Sequence, residues 1–338
     1  MNKRQRKKKN KKTLKNNYVT IPIWTETTEE KIQLGYGRNK MFFGFSQVGR
    51  SHQYYRENCQ DKVAISFSDS GEFVVAAISD GVGSCSCAEM GAEIVVREAV
   101  SFVLNKVNKG EFTKETAKGI IKGALEIALV AIEKASTQNE VDINEYSATL
   151  TIIAFNGNEL FAGHVGDDGL ILLNQKGQYG LLSTRHKGKS KSSVYPIQCK
   201  DMWEYIYAGE VVALVLATDG VLDTIVTSPD ENNRVFFPII EKAVCSNNDS
   251  IHEVKALAEE YYAYFINDDY RTVVSDDITF AVISSTGKES QRIPPSFDYH
   301  EWKVQNEYYA HDKTALREIE RNEEILLKNL PSISVNNN

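Results

Sequence analysis

The chain has 338 residues, of which 42% are hydrophobic and 25% are charged, and its formal net charge is −7 at pH 7. This composition is typical of a soluble globular protein and excludes a chain that is disordered throughout. The longest apolar runs, Phe73–Ile78 and Val211–Ala217, have strand length and fall well short of the ~18 residues of a membrane-spanning helix, so a membrane span is also excluded.

Basic residues are concentrated at the start of the chain. Nine of the 39 Lys and Arg residues lie within Met1–Lys15, and the remaining 30 face 46 acidic residues, a net charge of −16. Because like charges at this density repel each other, residues 1–30 are predicted to form a disordered basic tail. Such a tail is able to contact nucleic acid or an anionic lipid surface, and it is equally compatible with a solvated arm that has no partner.

The cysteines and the tail together indicate a cytoplasmic protein. The tail lacks the apolar segment of a secretion signal. The five cysteines form neither a CxxC pair nor a regular framework, which is typical of proteins in a reducing compartment. Cys85 and Cys87 offer two thiols for a soft metal, but without matching His or Cys partners we interpret them as ordinary thiols.

The first predicted elements are a hairpin and the start of a helix. Two β-rich runs, Val63–Ser68 and Phe73–Ser79, flank a turn sequence that contains Gly and therefore predict an antiparallel hairpin. Ser86 and Glu89 have the spacing of a capping box, which predicts that a helix begins there.

Hydrophobic periodicity predicts the remaining elements of the folded body. Three helices are predicted: the first ends near Val107, the second covers Lys114–Ser136 and the third covers Ile251–Ile266. The predicted strands cover Ala148–Phe155, Glu159–Val165, Leu170–Leu173, Val211–Thr218 and Asp277–Ile283. The first three of these strands are predicted to form a meander. Because strands and helices do not alternate as βαβ units do, a parallel sheet is disfavoured. The predicted fold class is α+β, with two antiparallel β-sheets packed as a central sandwich flanked by helices.

The chain is predicted to contain one folded domain, over residues 40–285. Residues 286–338 are predicted to contain a linker rich in Ser, Thr, Gly and Pro and then a polar C-terminal helix over His311–Leu330. The thin apolar stripe of that helix predicts that it packs on the body or on a partner.

Aspartates fall repeatedly at the predicted ends of strands. These positions are Asp61, Asp80, Asp167-Asp168, Asp219 and Asp276-Asp277. A single Asp at a strand end most often forms a turn or caps a helix, so the pattern indicates a site only if the fold brings these carboxylates together. Hard divalent cations such as Mg²⁺ and Mn²⁺ prefer oxygen ligands, whereas zinc prefers His or Cys, and the six histidines form no suitable pair.

Six short segments follow one another in the order found in a known enzyme family. They are Gly49-Arg-Ser-His52 with Arg56-Glu-Asn-Cys-Gln-Asp61; Ser79-Asp-Gly-Val-Gly83 with Glu89-Met-Gly-Ala92; Ser147-Ala-Thr-Leu150; His164-Val-Gly-Asp167; Ala217-Thr-Asp-Gly-Val-Leu-Asp223; and Ser275-Asp-Asp-Ile-Thr279. On these segments the chain resembles the metal-dependent serine/threonine protein phosphatases of the type 2C family, and most of all their bacterial branch. The resemblance extends from about Phe43 to Ser284, so it implies that residues 40–285 form a phosphatase-like catalytic domain.

The resemblance implies a site that holds two ions of Mn²⁺ or Mg²⁺. It implies that Asp80 bridges both ions and that the carbonyl of Gly81 contacts one of them. Asp219 and Asp276 would complete the first ion's ligands, and Asp61 would lie near the second, through water. A water molecule between the ions would be the nucleophile.

The resemblance also implies a phosphate clamp and a third metal site. Arg56 lies five residues before Asp61, as in the family, and a guanidinium there is able to make two parallel hydrogen bonds to phosphate; the alternative is an ordinary surface arginine. In the bacterial relatives, the residues matching Asp167, Asp223 and Asp219 shape a weaker third metal site, which we expect in this chain as well.

The chain departs from the family at several positions. Several animal relatives carry a histidine, a candidate general acid, at the position of Val82. His52 and His164 are candidate substitutes, although lone histidines beside strands are usually structural. Asp277 stands where Asn is usual and adds negative charge. The loop Arg185–Lys191 lies in the family's variable flap region and is predicted either to attract phosphorylated or acidic segments or to be solvated.

Two functional hypotheses follow. The first is a metal-dependent phosphatase that acts on phosphoserine and phosphothreonine in proteins and opposes a kinase. The alternative is a catalytically inactive pseudo-phosphatase that serves as a regulatory binding module. The presence of Asp61, Asp80, Asp219 and Asp276 favours the enzyme, because a chain without catalysis has no need of four carboxylates at these places.

Overall fold

The structure is a computed structural model that describes residues 32–176, 179–188, 194–225, 250–267 and 274–286. The predicted basic tail and the predicted helix His311–Leu330 lie outside the described residues. The first described strand precedes residue 40, so the sheet begins before the predicted start of the domain.

Eleven strands and five α-helices are described, with two short 3₁₀ turns at Ile143–Tyr146 and Lys200–Met202. The strands are β1 (Ile32–Gly37), β2 (Lys40–Gln47), β3 (Lys62–Phe67), β4 (Val74–Ser79), β5 (Leu150–Phe155), β6 (Leu160–Val165), β7 (Gly169–Asn174), β8 (Tyr179–Leu181), β9 (Glu204–Ala208), β10 (Val211–Ala217) and β11 (Ile278–Ser285). The helices are α1 (Arg50–Tyr55), α2 (Ala88–Asn108), α3 (Lys114–Asn139), α4 (Asp219–Ile225) and α5 (Ile251–Phe265).

The strands form two antiparallel sheets. The first has the order β1-β2-β11-β10-β7-β8 and the second β3-β4-β5-β6-β9. Their facing sides share one apolar cluster, while α2 and α3 cover the outer side of the second sheet and α5 covers that of the first. The predicted sandwich flanked by helices is therefore confirmed.

The predicted meander is wrong in one respect. β5 and β6 pair as expected, but β7 pairs with β10 in the other sheet. The chain crosses between the sheets at Gly166, whose φ of 120° favours glycine and whose missing Cβ would overlap the side chain of Thr149. Asp167 and Asp168 therefore lie at a crossing point and not in a hairpin turn.

Strand β10 shows why its sequence is a continuous apolar run. All seven of its residues are buried. Val215 and Ala217 point into the cluster with α5, whereas Leu214 and Leu216 point into the cluster between the sheets. Because side chains alternate across a strand, a strand covered on both faces needs apolar residues at every position.

The predicted capping box at the start of α2 is also wrong. The N-cap residue is Cys87, which makes no side-chain cap bond, and the backbone N–H of Ser86 instead donates to the carboxylate of Glu145 at 2.7 Å. A capping box is present at α3, between Thr113 and Thr116. Among the helices described, none has both the length and the hydropathy that crossing a bilayer demands.

Candidate metal centre

Three aspartates from distant parts of the chain meet at one end of the sandwich. Asp80 follows β4, Asp167 follows β6, and Asp219 begins α4 directly after β10. One carboxylate oxygen from each lies within 4.8 Å of the others. Two oxygens bound to one cation at ~2.0–2.6 Å are separated by at most about 5 Å, so this spacing fits oxygens that share a divalent ion.

Asp61 lies beside this cluster and is almost fully buried. The hydroxyl of Thr218 donates a 2.6 Å hydrogen bond to its Oδ2. Burial raises the pKa of Asp61 well above its usual range, and the charge of Asp277 raises it further. The hydrogen bond from Thr218 acts in the opposite direction and favours the charged form.

Asp80 is placed by a threonine to which the sequence motifs assign no role. The hydroxyl of Thr149 accepts a 2.8 Å hydrogen bond from the backbone N–H of Asp80 and donates one of 2.6 Å to Asp168. The Thr149 N–H donates to the Asp80 carbonyl at 2.9 Å. The next residue, Gly81, is buried, and a Cβ there would lie 2.6 Å from the carbonyl oxygen of Ala88, so only glycine fits without rearrangement.

The segment before β11 carries the last two predicted aspartates. Asp276 is exposed, and its Oδ1 accepts a 2.9 Å hydrogen bond from the backbone N–H of Asp277. Asp277 is buried and serves as an anchor, since its carboxylate accepts backbone hydrogen bonds from Gly49 at 2.6 Å and Gln60 at 2.5 Å. The side chain of Asp277, next to Asp276, therefore holds both ends of the segment Gly49–Gln60, which contains α1.

The electrostatics of the cluster favour a cation. Burial raises the pKa of Asp80 well above its usual range, and the charges of Asp61 and Asp219 add to this effect. Burial likewise raises the pKa of Asp219 to about 7, with contributions from Asp167 and Asp276. Neighbouring carboxylates that disfavour each other's ionisation are stabilised by a divalent ion, so the donor set fits Mg²⁺ or Mn²⁺.

Asp223 and Arg56 are both exposed. Oδ1 of Asp223 lies 2.6 Å from Nη2 of Arg185. Arg56 ends α1 in the left-handed conformation, with φ of 61°. It follows two exposed aromatic residues, Tyr54 and Tyr55, whose rings contact each other edge to face.

The two histidines have different surroundings. Nδ1 of His52 lies 2.9 Å from Oδ1 of Asp277, which is the distance of an ion pair. The geometry at Nδ1 does not meet the angle required of a hydrogen bond. Burial lowers the pKa of His52, but the interactions with Asp277, Asp276 and Glu57 together outweigh it, so the net pKa is raised. His164 is fully buried between the Thr151 hydroxyl and the Thr184 carbonyl, and burial lowers its pKa to about 4. These contacts give His164 a structural role.

Comparison with known proteins gives the same family as the sequence motifs. No curated protein sequence matches this chain. Among solved structures, a bacterial serine phosphatase is 13% identical, with a TM-score of 0.53 over 73% of this chain and 98% of its own. The Staphylococcus aureus serine/threonine phosphatase Stp1 is 14% identical, with a TM-score of 0.51 over 78% and 100%, and the S. agalactiae serine/threonine phosphatase is 16% identical, with a TM-score of 0.51 over 72% and 99%. These likenesses show the shared fold.

The family assignment comes from the sequence itself. The model of the protein phosphatase 2C family matches residues 48–259, which is more than half of the chain. This range includes Asp61, Asp80, Asp167 and Asp219, whereas Asp276 lies beyond it. The chain therefore belongs to the protein phosphatase 2C family and is, by that membership, a protein phosphatase enzyme.

Proposed function

We propose that this chain hydrolyses phosphoserine and phosphothreonine in proteins at a site that holds two Mg²⁺ or Mn²⁺ ions. The observation that carries the proposal is the convergence of Asp80, Asp167 and Asp219 within 4.8 Å in a member of a phosphatase family. The proposed substrates are phosphorylated proteins, made by an opposing kinase.

We assign the ligands as the family resemblance implies. Asp80, the carbonyl of Gly81, Asp219 and Asp276 would hold the ions, and Asp61 would lie beside them and orient water. When bound, the ions act as Lewis acids that lower the pKa of a water molecule and neutralise charge on the phosphoryl oxygens.

The chain's own residues supply position and binding. The Thr149 hydroxyl holds the backbone of Asp80 and the Thr218 hydroxyl holds the carboxylate of Asp61, so both residues are in place before a substrate arrives. Arg56 binds the phosphate of the substrate, because its side chain is exposed next to the anchored segment of Gln60 and a guanidinium matches the geometry of phosphate.

A panel of three peptides, identical except for phosphoserine, phosphothreonine or phosphotyrosine, tests the proposal. We expect release of phosphate from the first two in Mn²⁺, loss of activity in EDTA, and recovery when Mn²⁺ is restored. Activity that ignores EDTA would contradict the proposal. Binding of Mn²⁺ without turnover of any peptide would instead favour the alternative, a pseudo-phosphatase that serves as a regulatory binding module.

A further inference from the structure

We propose that Arg185 and Lys187 occupy the place of the expected third metal ion, so that this chain binds two ions and not three. The inference rests on the proposed function, since it concerns the same carboxylates. It assigns to two residues of the flap region a role that the family resemblance does not give them.

One guanidinium and one ammonium group lie close to the carboxylates of the expected third metal site. Nη2 of Arg185 lies 2.6 Å from Oδ1 of Asp223. Nζ of Lys187 lies 3.5 Å from the same oxygen and 3.6 Å from Oδ2 of Asp167. Lys187 therefore bridges two of the three aspartates that would hold the ion, and Arg185 neutralises one of them.

Arg185 is built into this position. Its side chain is only 11% exposed, and its Nε donates a 3.1 Å hydrogen bond to the carbonyl of Asp167. The contact of Nη2 with Asp223 is an ion pair by distance, with an angle outside hydrogen-bond limits. A buried guanidinium cannot lose its proton and must keep an anionic partner, so its pairing with Asp223 is not easily given up to an ion.

The backbone around these two residues is also fixed to the site. His186 lies between them, and its backbone N–H donates a 2.7 Å hydrogen bond to the carbonyl of Gly166. The carbonyl of His186 accepts a 3.1 Å hydrogen bond from the backbone N–H of Tyr195. Lys187 forms an isolated β-bridge with Val194. The two cationic side chains consequently extend from a segment that is tied to the crossing next to Asp167.

A divalent ion at this place would be repelled by the positive charges of Arg185 and Lys187. The carboxylates of Asp167 and Asp223, which would bind it, are already paired with these cations. Both effects weaken its binding, because carboxylates paired with Arg and Lys have little net charge left to offer. The ions held by Asp80, Asp219 and Asp276 would be affected less: the charge of Lys187 acts on Asp219, but the direct contacts of the two cations are with Asp167 and Asp223. The chain thus carries fixed positive charge where its bacterial relatives are expected to recruit a metal.

Metal counting on the full-length protein tests the inference independently of activity. The protein is loaded with Mn²⁺ and passed through a gel-filtration column in a buffer of fixed free Mn²⁺. The bound Mn²⁺, which is the excess over that in the buffer, is counted by atomic emission, and binding is also followed by calorimetric titration. The variants are Lys187→Met, Arg185→Gln combined with Lys187→Met, and Asp223→Asn, and folding is checked by circular dichroism. Lys176→Met is the matched control, because Lys176 pairs with Glu210 at 3.2 Å on the exposed surface.

We expect about two Mn²⁺ per chain in the wild type and in Lys176→Met. We expect about three in the double variant, with the added ion of the weakest affinity, and a count unchanged from the wild type in Asp223→Asn. About three ions in the wild type would overturn the inference and leave the proposed function intact. Two ions in a folded double variant would also overturn it, because the cations would then not be what excludes the third. No bound Mn²⁺ in the wild type would contradict both the inference and the proposed function.

Discussion

The hydroxyl of Thr218 donates a 2.6 Å hydrogen bond to Oδ2 of Asp61, which lies 157 residues earlier in the chain. Thr218 is fully buried at the end of β10, and its hydroxyl also accepts a 3.1 Å hydrogen bond from the N–H of Thr279 in β11. One small side chain thus joins a carboxylate of the candidate metal centre to two strands of the first sheet.

Replacement of Thr218 should therefore affect both stability and metal binding. Thr218→Val keeps the shape but leaves the Asp61 carboxylate and the Thr279 N–H without a partner, so we expect a loss of about 1–3 kcal/mol in the free energy of unfolding. Urea denaturation measures this loss. Thr218→Ser should recover most of it. Thr137→Val on the exposed side of α3 is the matched control, and an equal effect there would contradict the role assigned to Thr218.

Asp80→Asn should abolish activity without unfolding the protein. An amide lacks the charge and the second ligand oxygen of a carboxylate, so we expect turnover to fall by more than about 100-fold, a larger loss than is typical when only a partner of a metal ligand is changed. The metal-free variant should be as stable as the wild type or more so, because the repulsion from Asp61 and Asp219 is relieved. Thermal melting in EDTA and phosphatase assays in Mn²⁺ test the two parts. Asp69→Asn, in an exposed turn, is the control, and wild-type turnover in Asp80→Asn would refute the assignment.

The stability of the metal-free protein should fall as the pH rises. The pKa of Asp219 is raised to about 7 by burial and by Asp167 and Asp276, against ~3.9 in an unfolded chain. Between these values the folded state binds more protons, so its advantage is present at low pH and is lost as the pH rises through about 7. The pKa values of Asp80 and Asp61 shift in the same direction.

Mn²⁺ affinity should change with pH in the opposite direction, because the ion must displace these protons. Urea denaturation in EDTA and calorimetric titration of Mn²⁺, each at about pH 5.5 and about pH 8, measure the two trends. A metal-free protein that becomes more stable toward pH 8 would contradict the upward pKa shifts of these carboxyl groups.

Arg56→Ala should mainly weaken substrate binding. If Arg56 binds the phosphate equally in the ground and transition states, KM rises by about 10-fold or more while kcat changes little. Arg56→Lys is the matched variant: it keeps the charge and the left-handed backbone of φ 61° but loses the paired hydrogen bonds, so an intermediate KM is expected. Unchanged KM and kcat in Arg56→Ala would remove this residue from the site.

Gly220→Ala should disrupt the metal centre through backbone displacement alone. A Cβ at Gly220 would overlap the carbonyl oxygen of Asp277, so the segment carrying Asp276 must move away from Asp219. We expect loss of more than about 3 kcal/mol in the free energy of unfolding, together with weaker Mn²⁺ binding. Gly119→Ala, on the exposed face of α3 with nothing within 4 Å of its Cβ, should instead stabilise by up to about 1 kcal/mol. Similar effects at the two positions would contradict the close packing of Gly220.

The sequence alone was sufficient to predict the strands and helices that have a strongly periodic apolar pattern, and to indicate the family of the chain. The runs that form β4 and β10 and the helices α2 and α3 were predicted to within a few residues, because burial of a strand or helix face imposes a regular apolar pattern. The order of six motifs was sufficient to indicate the phosphatase family, since catalytic carboxylates must keep their places relative to the strands that carry them.

Only the tertiary structure decided which groups contact each other across the chain. The crossing of β7 into the other sheet, the Glu145 contact that replaces the predicted cap at Ser86, and the hydrogen bond between Thr218 and Asp61 all join residues that are far apart in sequence. Likewise, the pairing of Lys187 with Asp223 depends on the placement of residues 185–187 beside α4. Local sequence patterns record backbone preference and burial, whereas these contacts depend on the relative placement of whole elements, which no short segment encodes.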